Sequence, residues 1–366
     1  MRTSTIARLP LLAVVLLSAA CSPKAADAPD IALGPEADSI PTTLFEATAG
    51  TWLGGDRWAV LSPVNKRVVL LDFSDGSVTE LGKGMKQPFE GPFSLFTSGE
   101  GFYVGDWALR RLTAWTLEGT YAAAIGTPEV TKGNLPRARD GQRNWYVQFN
   151  PPPGPDGGGK RDSAVVVRFT LDFSRGDTLF RLSPLDLAEV DGDAGRRFER
   201  RVFSGEDHWG VLADGSVWVA RVYPNRVDWI GPDGKLTRGQ KLPDRVFTIT
   251  VSDREAFLRK FPPELRSAAE KVPFSPVKPP FDDAFTGGDG MVWLEKSRVI
   301  PDTVRRYQVI GRDGRLIESI SFNGYGYALA ASPEAVLVKE VRPDGMIFLR
   351  FRRPVAGQQG SGAAGP

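Results

Sequence analysis

Short runs of apolar residues alternate with polar turns along most of the chain. The runs are rich in β-branched and aromatic residues and are bounded by Asp-Gly and Pro, which predicts strands rather than helices. Several runs are apolar at consecutive positions, which indicates that both faces of the sheet are buried. The pattern therefore predicts an all-β protein made of small sheets that lie between neighbouring sheets.

A unit of strand, polar turn, strand and Asp-Gly turn recurs along the chain. It is clearest at 214–220 followed by 225–230, and it returns at 289–294 followed by 305–310. The equivalent position in six copies is held by Trp58, Tyr103, Trp145, Trp218, Trp293 and Leu337. Six copies predict a six-bladed β-propeller over residues 40–353.

Three insertions interrupt the repeat, at 151–162, 183–204 and 252–280. Because antiparallel strands reverse at every turn, the turn between the second and third strands of a blade lies on the same face as the link to the next blade. All three insertions fall at such places. We therefore expect all three to project from one face.

The insertion at 252–280 is predicted to be helical and to lie between blades four and five. Ser252 and Glu255 have the spacing of a capping box. A stripe of apolar residues then recurs at helical spacing, formed by Leu265, Ala268, Ala269 and Val272. This stripe either packs on the rim of the propeller or belongs to a lid or partner-binding element.

The repeat resembles that of NHL-type six-bladed propellers, including propellers found in bacterial lipoproteins. The matching segments are 89–92, 101–106 and 110–113, together with the unit at 214–234. The resemblance covers most of residues 45–350 and implies the fold without specifying chemistry. Blade six has only three evident strands, and we expect the run 43–45 to supply its outer strand and close the ring.

The N-terminus has the pattern of an export signal, with two basic residues, an apolar stretch and small residues before Cys21. Residues 17–21 resemble a bacterial lipobox, which implies a signal peptide over 1–20 and lipidation, as by palmitate, of Cys21. The alternative is ordinary cleavage, which would leave a free thiol. Ser22 stands where an inner-membrane retention signal would have Asp, so the resemblance implies an outer-membrane anchor, with the protein facing the periplasm or the cell surface.

Both ends of the chain are expected to lie outside the propeller. Residues 21–39, rich in Ala, Pro and Asp, predict a flexible tether, and residues 354–366 predict a disordered tail. The 46 basic and 44 acidic residues give a formal charge of +2. This near balance argues against binding to nucleic acid, which requires a basic surface. One Cys and one His also exclude a disulfide framework and a zinc site of thiolates.

Polar residues recur where each blade begins its first strand, and strand parity places these positions around one mouth of the central channel. The candidate mouth residues are Glu90, Arg137, Asp207, His208, Asp282, Asp283 and Tyr325. Carboxylates around such an opening are suited to a cation or a polar ligand. The alternative is a rim of solvated charges without a ligand.

The function predicted from these observations is a ligand-binding or protein-binding scaffold whose partner is unknown. The alternative is a calcium-dependent lactonase or esterase, because the Glu-Gly-Pro segment around Glu90 is similar to one in gluconolactonase-type propellers, where the Glu binds calcium. The later Asn and Asp of that family have no match here. His208 is the only imidazole available as a base, and its proximity in sequence to Ser204 does not make a catalytic triad. No cofactor is expected apart from this possible calcium.

Overall fold

The structure is a computed structural model, and it describes residues 28–151, 163–192 and 195–354. Its first two strands, β1 (Asp30–Ala32) and β2 (Asp38–Thr42), join sheets that are formed by the last part of the chain. Sheet 1 consists of β3 (Ala49–Gly54), β4 (Arg57–Ser62), β5 (Arg67–Asp72) and β6 (Ser77–Glu80). Sheet 2 consists of β7 (Pro92–Ser98), β8 (Gly101–Asp106), β9 (Arg111–Trp115) and β10 (Tyr121–Gly126).

Sheets 3 and 4 lie on either side of a two-stranded hairpin in the sequence. Sheet 3 consists of β11 (Pro136–Arg139), β12 (Trp145–Phe149), β13 (Val165–Phe169) and β14 (Gly176–Arg181). The hairpin consists of β15 (Leu187–Gly192) and β16 (Gly195–Arg200). Sheet 4 consists of β17 (His208–Val211), β18 (Val217–Arg221), β19 (Arg226–Ile230) and β20 (Leu236–Thr237).

Two helices, α1 (Val251–Leu258) and α2 (Pro263–Glu270), precede the last two sheets. Sheet 5 consists of β21 (Phe281–Thr286), β22 (Val292–Lys296), β23 (Val304–Ile310), β24 (Leu316–Asn323) and the N-terminal β1. Sheet 6 consists of β25 (Tyr327–Ala331), β26 (Ala335–Arg342), β27 (Gly345–Arg352) and the N-terminal β2.

The first strands of the sheets contact one another in series. β3 contacts β7, β7 contacts β11, and β11 contacts β17; β17 then contacts β21, β21 contacts β25, and β25 returns to β3. Within each sheet the neighbouring strands that follow one another in sequence are antiparallel. The protein is therefore all-β, and its sheets surround a common axis as in propeller proteins.

The core lies between sheets, as the consecutive apolar runs predicted. Trp218 of sheet 4 is 2% exposed and packs in one cluster with Val292 and Leu294 of sheet 5. Trp293 of sheet 5 is fully buried in another cluster, with Val336 and Val338 of sheet 6. The aromatic or leucine residue at the equivalent position of all six repeat units is buried.

The N-terminal segment corrects two predictions. The outer strand of sheet 6 is β2, which pairs with β27, whereas the run 43–45 was expected to form it. Strand β1 pairs in parallel with β24 and adds a fifth strand to sheet 5. The flexible tether predicted over 21–39 is therefore too long at its C-terminal end. Ile31 and Ile40 are buried, and each is the one buried side chain of its short strand. A single buried residue leaves no periodic pattern in the sequence from which the strand could be predicted.

The helical segment also differs in detail from the prediction. The N-cap of α1 is Thr250 rather than Ser252, and its capping box is completed by Asp253 rather than Glu255. Of the predicted apolar stripe, Ala269 is buried while Leu265 is half exposed. The residues of the predicted stripe are therefore not buried together as one apolar face of a helix. The predicted signal peptide lies outside the described residues, as does the predicted tail apart from Pro354.

Candidate functional site

The described parts of the three insertions lie on one face of the sheets, which we call the insertion face. It comprises the starts of the first strands, the turns between second and third strands, and the links between sheets. Val202 forms a β-bridge with Phe274, so the second and third insertions touch each other. Pro151, the last described residue before the gap at 152–162, lines the same pocket as Ser183. The predicted location on one face is supported by these contacts.

The helical segment is fastened to this face by a buried ion pair. Lys278 Nζ lies 2.5 Å from Asp253 Oδ1 and donates a second hydrogen bond to the Arg298 carbonyl at 2.6 Å. Burial raises the pKa of Asp253, but the hydrogen bonds from Lys278 and Thr250 outweigh it and leave the pKa below its ordinary value. Lys278 therefore joins the start of α1 to the end of the helical segment and, through the Arg298 carbonyl, attaches the segment to sheet 5.

A cavity of 440 Å³ opens between sheets 3 and 4 on the insertion face. Its polar side chains include Arg137, Gln148, Glu206 and His208, and its apolar side chains include Leu182 and Trp209. The volume is within the range of about 300–1,000 Å³ typical of small-molecule sites. The mixture of apolar wall and few polar groups is also typical of such sites.

Arg137 is the cation of this pocket. It lies on β11, and its Nη1 donates to Gln148 Oε1 at 3.2 Å, while Trp209 Nε1 donates to the same oxygen at 2.8 Å. Among the described residues no carboxylate lies within ion-pair distance of Arg137. Burial lowers the pKa of Arg137, and the carboxylate of Glu206 opposes that shift. Solvent reaches the side chain, but the protein surrounds it closely enough to weaken its hydration.

Two further predicted mouth residues, Asp207 and His208, lie beside this pocket but differ in role. Asp207 is buried and accepts hydrogen bonds from the backbone of Ser183 at 2.7 Å and of Val222 at 3.0 Å, and from Arg221 Nη1 at 2.7 Å. These bonds hold the link between sheets 3 and 4 against the end of β18. Its carboxylate therefore has a structural role that its position in the sequence did not reveal.

His208 is the first residue of β17 and lines the pocket. Its Nδ1 lies 3.4 Å from Asp283 Oδ1, and its ring packs edge-on against Phe281 at a centroid distance of 6.0 Å. A carboxylate beside one ring nitrogen fixes the orientation of an imidazole. The structure thus brings together two predicted residues from different sheets.

Asp282 and Asp283 belong to an acidic group on the inner part of sheet 5. Burial raises the pKa of Asp282, although Ser297 Oγ donates a hydrogen bond to its carboxylate. Burial likewise raises the pKa of Glu295 to about 7, against the opposing effect of Arg305, whose Nη1 lies 3.2 Å from Glu295 Oε1. The charges of Asp282 and Asp283 also contribute to raising the pKa of Glu295.

The remaining predicted residues lie apart from these groups. Glu90 Oε2 pairs with Lys66 Nζ at 2.8 Å in the neighbouring turn of sheet 1. Tyr325 is three-quarters exposed in the link before β25. Cys21 lies outside the described residues. The seven predicted mouth residues therefore separate into a pocket group, an acidic group and two isolated positions.

Sequence reasoning missed Gln148, Trp209 and Glu295. A signal existed for Glu295, because it directly follows three residues, 292–294, that are buried at consecutive positions, and a charge in such a run must be buried with a partner. Gln148 and Trp209 had no comparable signal. Their roles depend on the contact between sheets 3 and 4.

Within the described ranges no group of three or more His, Cys, Asp or Glu side chains is arranged to hold a metal ion. The same part of the chain contains no helix with the length and hydrophobicity needed to span a bilayer.

No protein-family model matches the sequence, and a comparison with curated proteins gave no significant match. Solved structures do match. Regucalcin from Agrobacterium tumefaciens, a calcium-binding protein, is 9% identical with a TM-score of 0.41, covering 90% of this chain and 98% of its own. A member of the DUF4221 family from Bacteroides vulgatus is 8% identical with a TM-score of 0.49, covering 87% and 97%.

A virginiamycin B lyase from Staphylococcus aureus, solved with quinupristin, is 11% identical with a TM-score of 0.40, covering 86% of this chain and 98% of its own. At these identities the likeness concerns the fold alone.

Proposed function

We propose that this protein is a six-bladed propeller that serves as a binding module for a small anionic ligand, held in the pocket around Arg137. Six sheets of four or five strands and the closed series of first-strand contacts support the blade count. The two helices between β20 and β21 would then be an insertion between blades four and five. Export and attachment to the outer membrane through Cys21 complete the proposal and rest on the lipobox resemblance.

The observation that carries the proposal is the incomplete bonding of Arg137. A guanidinium has five N–H donors, and among the described residues Arg137 makes one side-chain hydrogen bond, to Gln148, which leaves its other donors open to the pocket. Poorly hydrated Arg side chains bind carboxylates and phosphates in a two-pronged geometry. The apolar wall formed by Leu182 and Trp209 would contact the rest of the ligand.

The test is titration calorimetry with benzoate and octanoate, each compared with its uncharged amide. We expect the carboxylates to bind at least tenfold more tightly than the amides, and Arg137→Gln to abolish that preference. The matched control is Arg143→Gln, which alters an exposed Arg in the turn between β11 and β12, on the opposite face. Equal affinity for acids and amides, or a preference that survives Arg137→Gln, would contradict the proposal.

A second candidate function is hydrolysis, and one observation favours it. His208 lines the pocket and its Nδ1 faces the Asp283 carboxylate, the arrangement that orients a general base. The calcium-dependent version of this candidate has less support, because Glu90 is paired with Lys66 rather than directed to the channel. Release of p-nitrophenol from its butyrate ester, lost in His208→Gln, would favour the hydrolase. No turnover above background in the unaltered protein would exclude this ester as a substrate.

A further inference from the structure

The strongly exposed apolar side chains of the described residues share one face. Nine large hydrophobic residues are more than half exposed: Phe45, Val64, Trp107, Tyr223, Val246, Val251, Leu265, Tyr325 and Val341. All nine lie in links between sheets or at the turns between second and third strands. They therefore all belong to the insertion face.

The turns between second and third strands repeat this feature from sheet to sheet. Sheets 1, 2, 4, 5 and 6 carry there, respectively, Val64, Trp107, Tyr223, Ile300 and Val341. The corresponding turn of sheet 3 falls largely outside the described residues. Exposing an apolar side chain once is ordinary, but a repeated exposure at equivalent turns indicates a surface that is covered in use.

The opposite face has a different character. Several of its turns are of the Asp-Gly type, with Gly215 and Gly290 in the left-handed conformation that such turns need. They are joined by polar contacts, such as Arg312 Nη1 with Asp214 Oδ2 at 2.5 Å and the Gly288 N–H with the Ala331 carbonyl at 2.7 Å. The exposed large hydrophobic residue in the described turns of this face is Leu171, at 46%, so exposure above one half is confined to the insertion face among the described residues.

The insertion face also has a basic region. The segment 238–280, which contains both helices, has nine Lys or Arg against five Asp or Glu. Three of the acids are already paired, Asp253 with Lys278, Glu255 with Arg259 and Asp244 with Lys296 outside the segment. The excess of positive charge lies beside the exposed Val246, Val251 and Leu265. Basic residues next to apolar ones are typical of surfaces that bind anionic lipids.

We propose that the insertion face docks on the surface of a bilayer that contains anionic phospholipid. The apolar side chains project singly from separate sheets, and a fluid bilayer accepts separated side chains, whereas a protein partner would need a matching pocket for each. Trp107, Tyr223 and Tyr325 are of the types that favour the boundary between lipid and water. Docking requires neither the lipid anchor nor an occupied pocket, so it goes beyond the proposed function.

The test uses the chain from residue 21 with Cys21→Ser, which keeps every described residue but cannot be acylated. Vesicles of phosphatidylethanolamine and phosphatidylglycerol are compared with vesicles of phosphatidylcholine alone by co-sedimentation. We expect binding to the anionic vesicles that weakens as salt is raised. The triple variant Trp107→Ser, Tyr223→Ser, Tyr325→Ser should bind at least tenfold more weakly.

The matched control is a second triple variant, Val78→Ser, Leu171→Ser, Leu236→Ser, which alters exposed apolar residues away from the insertion face. It should bind within twofold of the parent. Quenching of fluorescence by brominated lipid gives a second measurement, and it should be lost in Trp107→Phe. Equal losses in the two triple variants would overturn the proposal. Absence of binding to any vesicle would also overturn it and leave a protein as the occupant of this face.

Discussion

Trp218 and Trp293 offer a matched test of how the sheets pack. They hold equivalent positions on β18 and β22, and both indoles are buried between sheets. They differ at one atom. Trp218 Nε1 donates to Thr286 Oγ1 at 2.8 Å, whereas the buried Trp293 Nε1 has no hydrogen-bond partner among the described residues. Replacing each Trp by Phe therefore removes a satisfied donor in one case and an unsatisfied donor in the other.

Both substitutions replace an indole by a smaller phenyl ring, so each leaves a cavity of similar size. The free-energy cost of that cavity therefore largely cancels when the two variants are compared. Trp218→Phe also loses a hydrogen bond with a net value of about 1 kcal/mol. Trp293→Phe removes a buried unpaired N–H, which costs about 1–3 kcal/mol in the folded state. We expect Trp218→Phe to lower the free energy of unfolding by about 2–4 kcal/mol more than Trp293→Phe.

Urea unfolding followed by circular dichroism measures this difference, provided that the dependence on urea concentration has the same slope in all three proteins. Substitution to Ala should cost about 3–5 kcal/mol at either position, because the whole indole is then lost from the core. The reasoning is refuted if Trp293→Phe is as costly as Trp218→Phe. That result would mean that the two N–H groups are equally satisfied.

Three further predictions concern charge and anchoring. Because burial raises the pKa of Glu295 to about 7 from 4.5, the folded protein retains a proton that the unfolded chain releases, so the free energy of unfolding should fall as pH rises through this interval. Glu295→Gln should flatten that slope in urea unfolding at pH 5 and pH 8, and an unchanged slope would contradict the assignment. Lys278→Met leaves the buried Asp253 carboxylate unpaired, so limited proteolysis should open α1 and α2 first; initial cleavage within the sheets would count against this. Cys21→Ala should move the protein from the membrane fraction to the soluble periplasm, and an unmodified mature N-terminus in the parent protein would disprove lipidation.

The position of the core between neighbouring sheets could be predicted because burial on both faces leaves a strong pattern in the sequence. Trp145 and Tyr146, for example, are adjacent and both buried, which requires a neighbouring sheet on each side. Strands β1 and β2 left no such pattern, since each contributes a single buried Ile to the outer edge of a sheet. Edge strands depend on backbone pairing with a partner that is distant in sequence, and local composition does not record that pairing.

The positions of the candidate site residues on one face could be predicted from the sequence, but their hydrogen-bond partners could not. Strand parity brought Arg137 and His208 to one face correctly, because parity depends only on the number of strand reversals. The same reasoning treated Asp207 and Asp282 alike, yet three donors surround the Asp207 carboxylate, whereas the Asp282 carboxylate accepts a side-chain hydrogen bond from Ser297 Oγ. Which carboxylate accepts hydrogen bonds from backbone N–H groups depends on the ends of neighbouring strands. These strand ends meet only in the folded protein.

The insertion face carries both the pocket of Arg137 and the exposed apolar side chains proposed to contact a bilayer. The pocket of Arg137 opens on the same face that carries Trp107 and Tyr223, so a docked protein would receive its ligand from the bilayer surface rather than from bulk water. Molecules concentrated there have an apolar body and a charged head. Arg137 would bind an anionic head, and the wall at Leu182 and Trp209 would accept the apolar body next to it. If both proposals hold, octanoate should therefore bind more tightly than acetate, because only octanoate has a chain long enough to reach that wall.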